Sequence, residues 1–141
     1  MITKYKYKST IPYSLHDMVV TAISHDDDSI HLEFDGGYEK LDETCSRVDG
    51  TITIQGVDFD YVNILLLNKN GEYGEFLGQK LSLDEFLGKY NKYSFEIVDE
   101  LYGYNTVEYN GFLSILGQSE CIEMTISIYH FGDIWYETDG W

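Results

Sequence analysis

Cys121-Ile122-Glu123-Met124-Thr125-Ile126-Ser127-Ile128-Tyr129-His130-Phe131 is the stretch that decides the fold class. Ile122, Met124, Ile126 and Ile128 recur at every second position, opposite Cys121, Glu123, Thr125 and Ser127. A period of two sends successive side chains to opposite faces of an extended chain, so this is a β-strand with one buried and one wetter face. Upstream of it, Ser94 to Tyr104, Thr106 to Tyr109 and Gly111 to Leu116 read as strands separated by Gly or Asn turns. Val62 to Leu67 is apolar at successive positions, which predicts a central strand covered on both faces, and Asn68-Lys69-Asn70-Gly71 supplies the turn that follows. Glu75 to Leu81 is a further strand candidate.

Nearer the start, Val19 to Ser24 and Ser29 to Phe34 form a hairpin split by His25-Asp26-Asp27-Asp28. Asp35-Gly36-Gly37 then turns the chain into Tyr38 to Leu41, and Asp49-Gly50 precedes Thr51 to Gln55. Ile2 to Lys8 alternates Tyr5 and Tyr7 with Lys4, Lys6 and Lys8, the pattern of an edge strand protected by lysines. One helix is expected. Ser82-Leu83-Asp84-Glu85 is a capping box, and Leu83, Phe86, Leu87 and Tyr90 make one apolar stripe ending near Tyr93.

Composition supports the same reading. Of 141 residues, 51 are β-branched or aromatic, against a single alanine, Ala22, and a single arginine, Arg47. One proline beside 13 glycines assigns the turns to Gly, Asn and Asp. The expectation is a single β-rich domain over residues 1–141: an antiparallel β-sandwich or partly open barrel of about nine or ten strands with one short helix. No run approaches the ~18 apolar residues of a membrane helix, and the first residues lack an apolar leader, so the expected location is cytoplasmic.

Nine Lys and Arg against 25 Asp and Glu give a formal charge of −16. Such a surface repels phosphate, which excludes nucleic acid and anionic membranes as expected partners. No glycine-rich phosphate loop is present. His16-Asp17 has the residues of a metal dyad but lacks the further ligands on facing helices. Asp17 is instead expected to bond local backbone amides at the entry to the following strand. His25, His31 and His130 have no zinc-ligand spacing, and Asp26-Asp27-Asp28 departs from an EF-hand and reads as a solvated turn. Cys45 and Cys121 are expected as reduced thiols. No cofactor is expected. Asp58-Phe59-Asp60 places two carboxylates on one face of an extended segment.

Ser14-Leu15-His16-Asp17-Met18-Val19-Val20-Thr21-Ala22-Ile23, followed by a turn and Ile30-His31-Leu32-Glu33-Phe34, resembles the opening of several small bacterial β-rich families. In these an L-H-D element leads into a first hairpin. One of them is grouped as immunity protein 50, and the resemblance implies a role in neutralising secreted toxins of rival bacteria. Acidic charge and aromatic load point the same way, because complementary charge speeds association with a basic protein while aromatic anchors hold it.

The expected function is therefore a non-enzymatic acidic interaction module for a basic protein partner, in its narrower form a bacterial toxin-immunity protein. Asp58, Asp60, Tyr61, Trp135, Tyr136 and Glu137 are the candidate contact residues. Taken as fold alone, the tail is a last strand with Trp135 in the core. Two other classes compete: a domain binding a small polar, carbohydrate-like ligand through tyrosines and carboxylates, and then a carboxylate-based hydrolase.

Overall fold

The computed structural model describes residues 1–5, 11–67, 75 and 77–139. Among them are twelve strands: β1 (Tyr13–Ser14), β2 (Met18–His25), β3 (Ile30–Asp35), β4 (Tyr38–Lys40), β5 (Arg47–Val48), β6 (Gly50–Ile54), β7 (Asn63–Leu67), β8 (Gly78–Leu81), β9 (Tyr93–Gly103), β10 (Thr106–Ile115), β11 (Ile122–Tyr129) and β12 (Ile134–Thr138). One helix, α1 (Leu83–Lys89), and a 3-10 turn (Phe59–Tyr61) complete the fold. Nine strands form an antiparallel sheet in the order β12-β6-β3-β2-β9-β10-β11-β7-β8, and β1-β4-β5 form a second, antiparallel one. No helix among the described residues is long and apolar enough to cross a membrane.

The large sheet rolls up without closing. Its edges are β12 and β8. β6 stands second in the order and β11 seventh, yet the segment after β6 is bonded to the end of β11 and the residues that follow it: Asp58 N–H donates to the Tyr129 carbonyl at 2.9 Å and Phe131 N–H to that of Gly56 at 2.8 Å. Inside lies one core, in which Tyr38, Tyr109, Phe86 and Phe95 are among the largest fully buried side chains. Met124, Ile126 and Ile128 of β11 are buried there, as the alternation requires. Both halves of the capping box at Ser82 and Glu85 are made, and Leu83 and Phe86 are the buried residues of α1.

Several expectations are corrected. The two-residue strands β1 and β5 are too short to alternate, so the small sheet leaves no periodic trace. Val62 to Leu67 is not central: β7 lies next to the edge, with Leu65 and Leu67 only half-buried. No turn at Asn110 separates Thr106 to Tyr109 from Gly111 to Leu116: both lie in one continuous strand, β10. Met1–Tyr5 carry no strand, and residues 6–10 and the Asn68–Gly71 turn lie outside the described residues.

A bulge in β9 positions the most unusual side chain in the interior. Asn110 pairs with Asp99 and Gly111 with Ile97, so Val98 is an extra residue. An extra residue inverts the inward–outward alternation beyond it. Phe95 and Ile97 therefore point inward before the bulge, and Glu100 and Tyr102 after it, leaving Leu101 exposed. Leu15-His16-Asp17 holds this bulge. Leu15 is fully buried and its N–H donates to Glu100 Oε2 at 2.8 Å, the His16 ring donates to the Val98 carbonyl, and Asp17 N–H donates to the Ile97 carbonyl at 2.7 Å. Asp17 has φ +63°, a left-handed conformation that Asp tolerates better than most residues. Its carboxylate faces His16 Nε2 at 3.4 Å rather than a local backbone amide, which corrects the expectation for that residue.

Lys40–Asp42, at 3.8 Å, is the one lysine or arginine ion pair among the described residues, the other three pairs being His–Asp. Among the described residues, the acidic charge is thus largely without ion-pair partners. Raising salt from about 0.02 to about 0.3 M should therefore raise the melting temperature by screening self-repulsion. A melting temperature that stays level or falls over this range would mean that the carboxylates do not strain the native state.

Candidate functional site

Three connections distant in sequence meet beside the 3-10 turn. The first is the β2–β3 turn, where Asp26 Oδ1 accepts the N–H groups of Asp28 at 2.9 Å and Ser29 at 2.8 Å. The amide of Asp28 is the leading reason that the Asp26 carboxyl is held well below the usual carboxylate range. The second follows β6, where Val57 N–H donates to the Asp28 carbonyl at 2.8 Å. Gly56 has φ +64°, and a Cβ there would meet Gly132 N at 2.7 Å, so only glycine lets the two loops approach. The third is the β11–β12 link through Phe131.

Together they form an open depression lined by Asp28, Asp58, Asp60, Phe59 and Phe131 over the Gly56–Val57 backbone. Asp58 caps the 3-10 turn, its Oδ1 accepting Asp60 N–H at 3.2 Å. The segment is therefore a tight turn and not extended as expected, although both carboxylates line the same hollow. Phe131, which lines it, is 66 % exposed, and Tyr61, next in sequence to Asp60, is 63 % exposed. Tyr129 connects them, with ring centroids 5.9 Å from Tyr61 and 5.1 Å from Phe131. Among the described residues, no lysine or arginine lines the hollow.

No family model, curated protein or solved structure matches this chain. The site is therefore read from its own geometry. Of the six expected contact residues, Asp58 and Asp60 line the depression, and Tyr61 follows Asp60 at the end of the 3-10 turn with its ring against Tyr129. Trp135 and Glu137 lie on the outer face of β12, with Trp135 51 % exposed rather than in the core. Tyr136 faces the other way, its ring 4.9 Å from Tyr13 and 5.9 Å from Tyr38. Asp28, Phe131 and Tyr129 were not singled out from the sequence, because only the rolling of the sheet brings residues 28, 58 and 131 together.

Next to the hollow lies a serine–histidine–aspartate group without triad chemistry. Ser29 Oγ donates to Asp26 Oδ2 at 2.8 Å, and His31 Nε2 bonds the same oxygen at 3.1 Å. With its proton on that nitrogen, His31 accepts the Thr53 hydroxyl at Nδ1, 3.0 Å away, and presents no lone pair to Ser29. Acid and serine occupy one ring nitrogen, so the group braces the turn. His25 braces the opposite side: its ring packs 5.1 Å from Phe59 and Nε2 bonds Asp84 Oδ1 of α1 at 2.8 Å. Its bond to the Asp26 carbonyl is the main reason that its pKa is raised. Among the described residues, no group of three or more His, Cys, Asp or Glu is placed to hold a metal ion.

A second polar group is interior. Glu100 Oε1 and the Tyr109 hydroxyl are buried without a hydrogen-bond partner, and Glu100 and Tyr109 are cross-strand neighbours. The Tyr102 hydroxyl reaches in to 3.4 Å from that of Tyr136, although part of its ring stays in solvent. Burial pushes the Glu100 carboxyl above its ordinary value, against the Leu15 N–H that favours the ionised form. Regular alternation along β9 would turn Glu100 outward, and the bulge that inverts it has no signature in composition.

Proposed function

We propose that this chain is an acidic interaction module that binds a basic protein, using the Asp28, Asp58 and Asp60 depression and the nearby Tyr61, Tyr129 and Phe131 rings. One observation carries the reading: three aspartates line an open hollow that no lysine or arginine lines among the described residues, near two aromatic rings that remain largely in water. Isolated exposed aromatics are ordinary, but aromatics beside concentrated charge match the composition of interaction hot spots. The −16 field steers a cationic partner, whose lysines or arginines meet the aspartates while Tyr61 and Phe131 lose water contact. In the narrower form the module is an immunity protein that covers a toxin's cationic active site. The L-H-D resemblance supports that form.

Affinity capture from native lysate at ~0.15 M salt, near physiological ionic strength, tests the reading. The baits are wild type, the Asp58→Asn/Asp60→Asn double variant and an unrelated protein of equal charge. A basic protein enriched by wild type and lost with the variant is expected, with an association rate falling about tenfold or more between low and physiological salt. Equal capture by the variant, or an on-rate flat in salt, would remove the depression from the interface. The immunity form further requires that the captured protein arrest growth when expressed alone and not when co-expressed with this chain.

A further inference from the structure

Among the described residues β12 is an edge strand, and the bonds at its two ends show which of its backbone groups turn away from β6. Gln55 N–H donates to the Asp133 carbonyl at 2.9 Å, and Asp139 N–H to that of Asp49 at 3.2 Å. Between them Trp135 stands opposite Thr53 and Glu137 opposite Thr51. The Glu137 carbonyl also points toward β6, accepting the Tyr38 hydroxyl at 3.4 Å. In an antiparallel pair, hydrogen-bonded residues alternate with residues that turn their N–H and C=O away. Residues 133, 135, 137 and 139 thus face β6, and Ile134, Tyr136 and Thr138 direct theirs to the free side. Among the described residues, no strand pairs on that side.

Edge strands usually carry lysine, proline or a bulge that discourages a further strand. β12 has none of these. Its outward side chains are Trp135 and Glu137, and Asp133 and Asp139 flank it, so residues 133–139 hold three carboxylates and no cation. We propose that this edge accepts an extended basic segment of the partner as an added strand. Main-chain bonds to Ile134, Tyr136 and Thr138 supply affinity. Lysines on the incoming strand meet Glu137, Asp133 and Asp139, and the exposed Trp135 ring offers a cation–π face. This rests on the basic-partner reading and adds the partner's conformation and a second contact zone.

The probe is the peptide acetyl-Lys-Val-Lys-Val-Lys-Val-Lys-amide, with an alternately N-methylated copy of equal charge as control. Amide hydrogen exchange by NMR should show protection of Ile134, Tyr136 and Thr138 rising on addition of the peptide. N-methylation should weaken binding about tenfold or more, as expected for lost main-chain bonds. Thr138→Pro removes one outward N–H without touching the β6 ladder, so it should keep its circular dichroism and bind as weakly. Shift changes confined to residues 58–61 and Phe131 would overturn the edge proposal and leave the basic-partner reading standing. Equal binding of the N-methylated peptide, or no binding, also overturns it, and the basic-partner reading then stands or falls on the capture experiment. Protection already present in the free protein and lost on deleting residues 1–10 would show that the chain's own basic segment holds the edge, which overturns it as well.

Discussion

Gly111→Ala should cost this fold about 3–5 kcal/mol, at the upper end of single substitutions. A Cβ at Gly111 would sit 1.8 Å from the Glu96 carbonyl oxygen, 2.8 Å from its carbon and 3.1 Å from Ile97 Cα. All three are backbone atoms, so no rotamer change relieves the contact and β9 must separate from β10. Separation there undoes the bulge and with it the site where Leu15-His16-Asp17 is held. Ordinary overpacking costs about 1–3 kcal/mol, and the estimate lies higher because the obstruction is main chain on a paired strand. Gly88→Ala is the matched control. It lies in α1 with nothing within 4 Å of the added atom, and should gain about 0.5–1 kcal/mol from helix propensity. Urea denaturation of the pair measures both, and a loss below about 1 kcal/mol at Gly111 would mean that the two strands shift apart easily.

Glu100→Gln should stabilise the protein by about 1–2 kcal/mol near pH 8, within the range for relieving a buried unpaired polar atom. The amide keeps an acceptor for Leu15 N–H while removing the charge that burial disfavours. The sign in pH follows from linkage. The folded carboxyl has a pKa above its ordinary 4.5, so between the two values the native state binds more protons than the unfolded one. Its stabilising contribution is complete below 4.5 and lost as pH rises through the folded value. The advantage of glutamine should therefore vanish near about pH 4 and grow to a plateau above the folded pKa. His25, whose pKa is also raised, is present in both proteins and leaves the difference curve unchanged, whereas His16, raised in part by the Glu100 charge, adds a smaller component of its own. A variant less stable at pH 8 would show that the Leu15 bond outweighs desolvation, and an equal gain at both pH values that the two balance.

What could be read from the chain depended on how local the cause was. β11, the β2–β3 hairpin and α1 are legible because alternation, a turn and a capping box act over a few residues. Val62 to Leu67 misled because half-buried Leu65 and Leu67 imitate a strand covered on both faces. The Asn110-Gly111 pair misled because it imitates a turn between two strands, whereas this glycine marks a place where two backbones nearly touch. In the site, Asp58, Asp60 and Tyr61 were legible as carboxylates beside an aromatic ring in one short segment. Asp28 and Phe131 were not, since their proximity is a property of the roll. Tyr136 and Trp135 were adjacent in the expectation, yet strand alternation sends one inward and leaves the other in water.

The bonds that join residues 56–58 to 129–131 span more than seventy positions of the chain. Hairpins such as β2–β3 and β9–β10 close short loops and can form early, whereas contacts of this separation carry a larger loop-closure cost and form late. The depression exists only once that closure is made. A partner that recognises it therefore distinguishes the finished molecule from its partly folded precursors, and association becomes a report on completed folding.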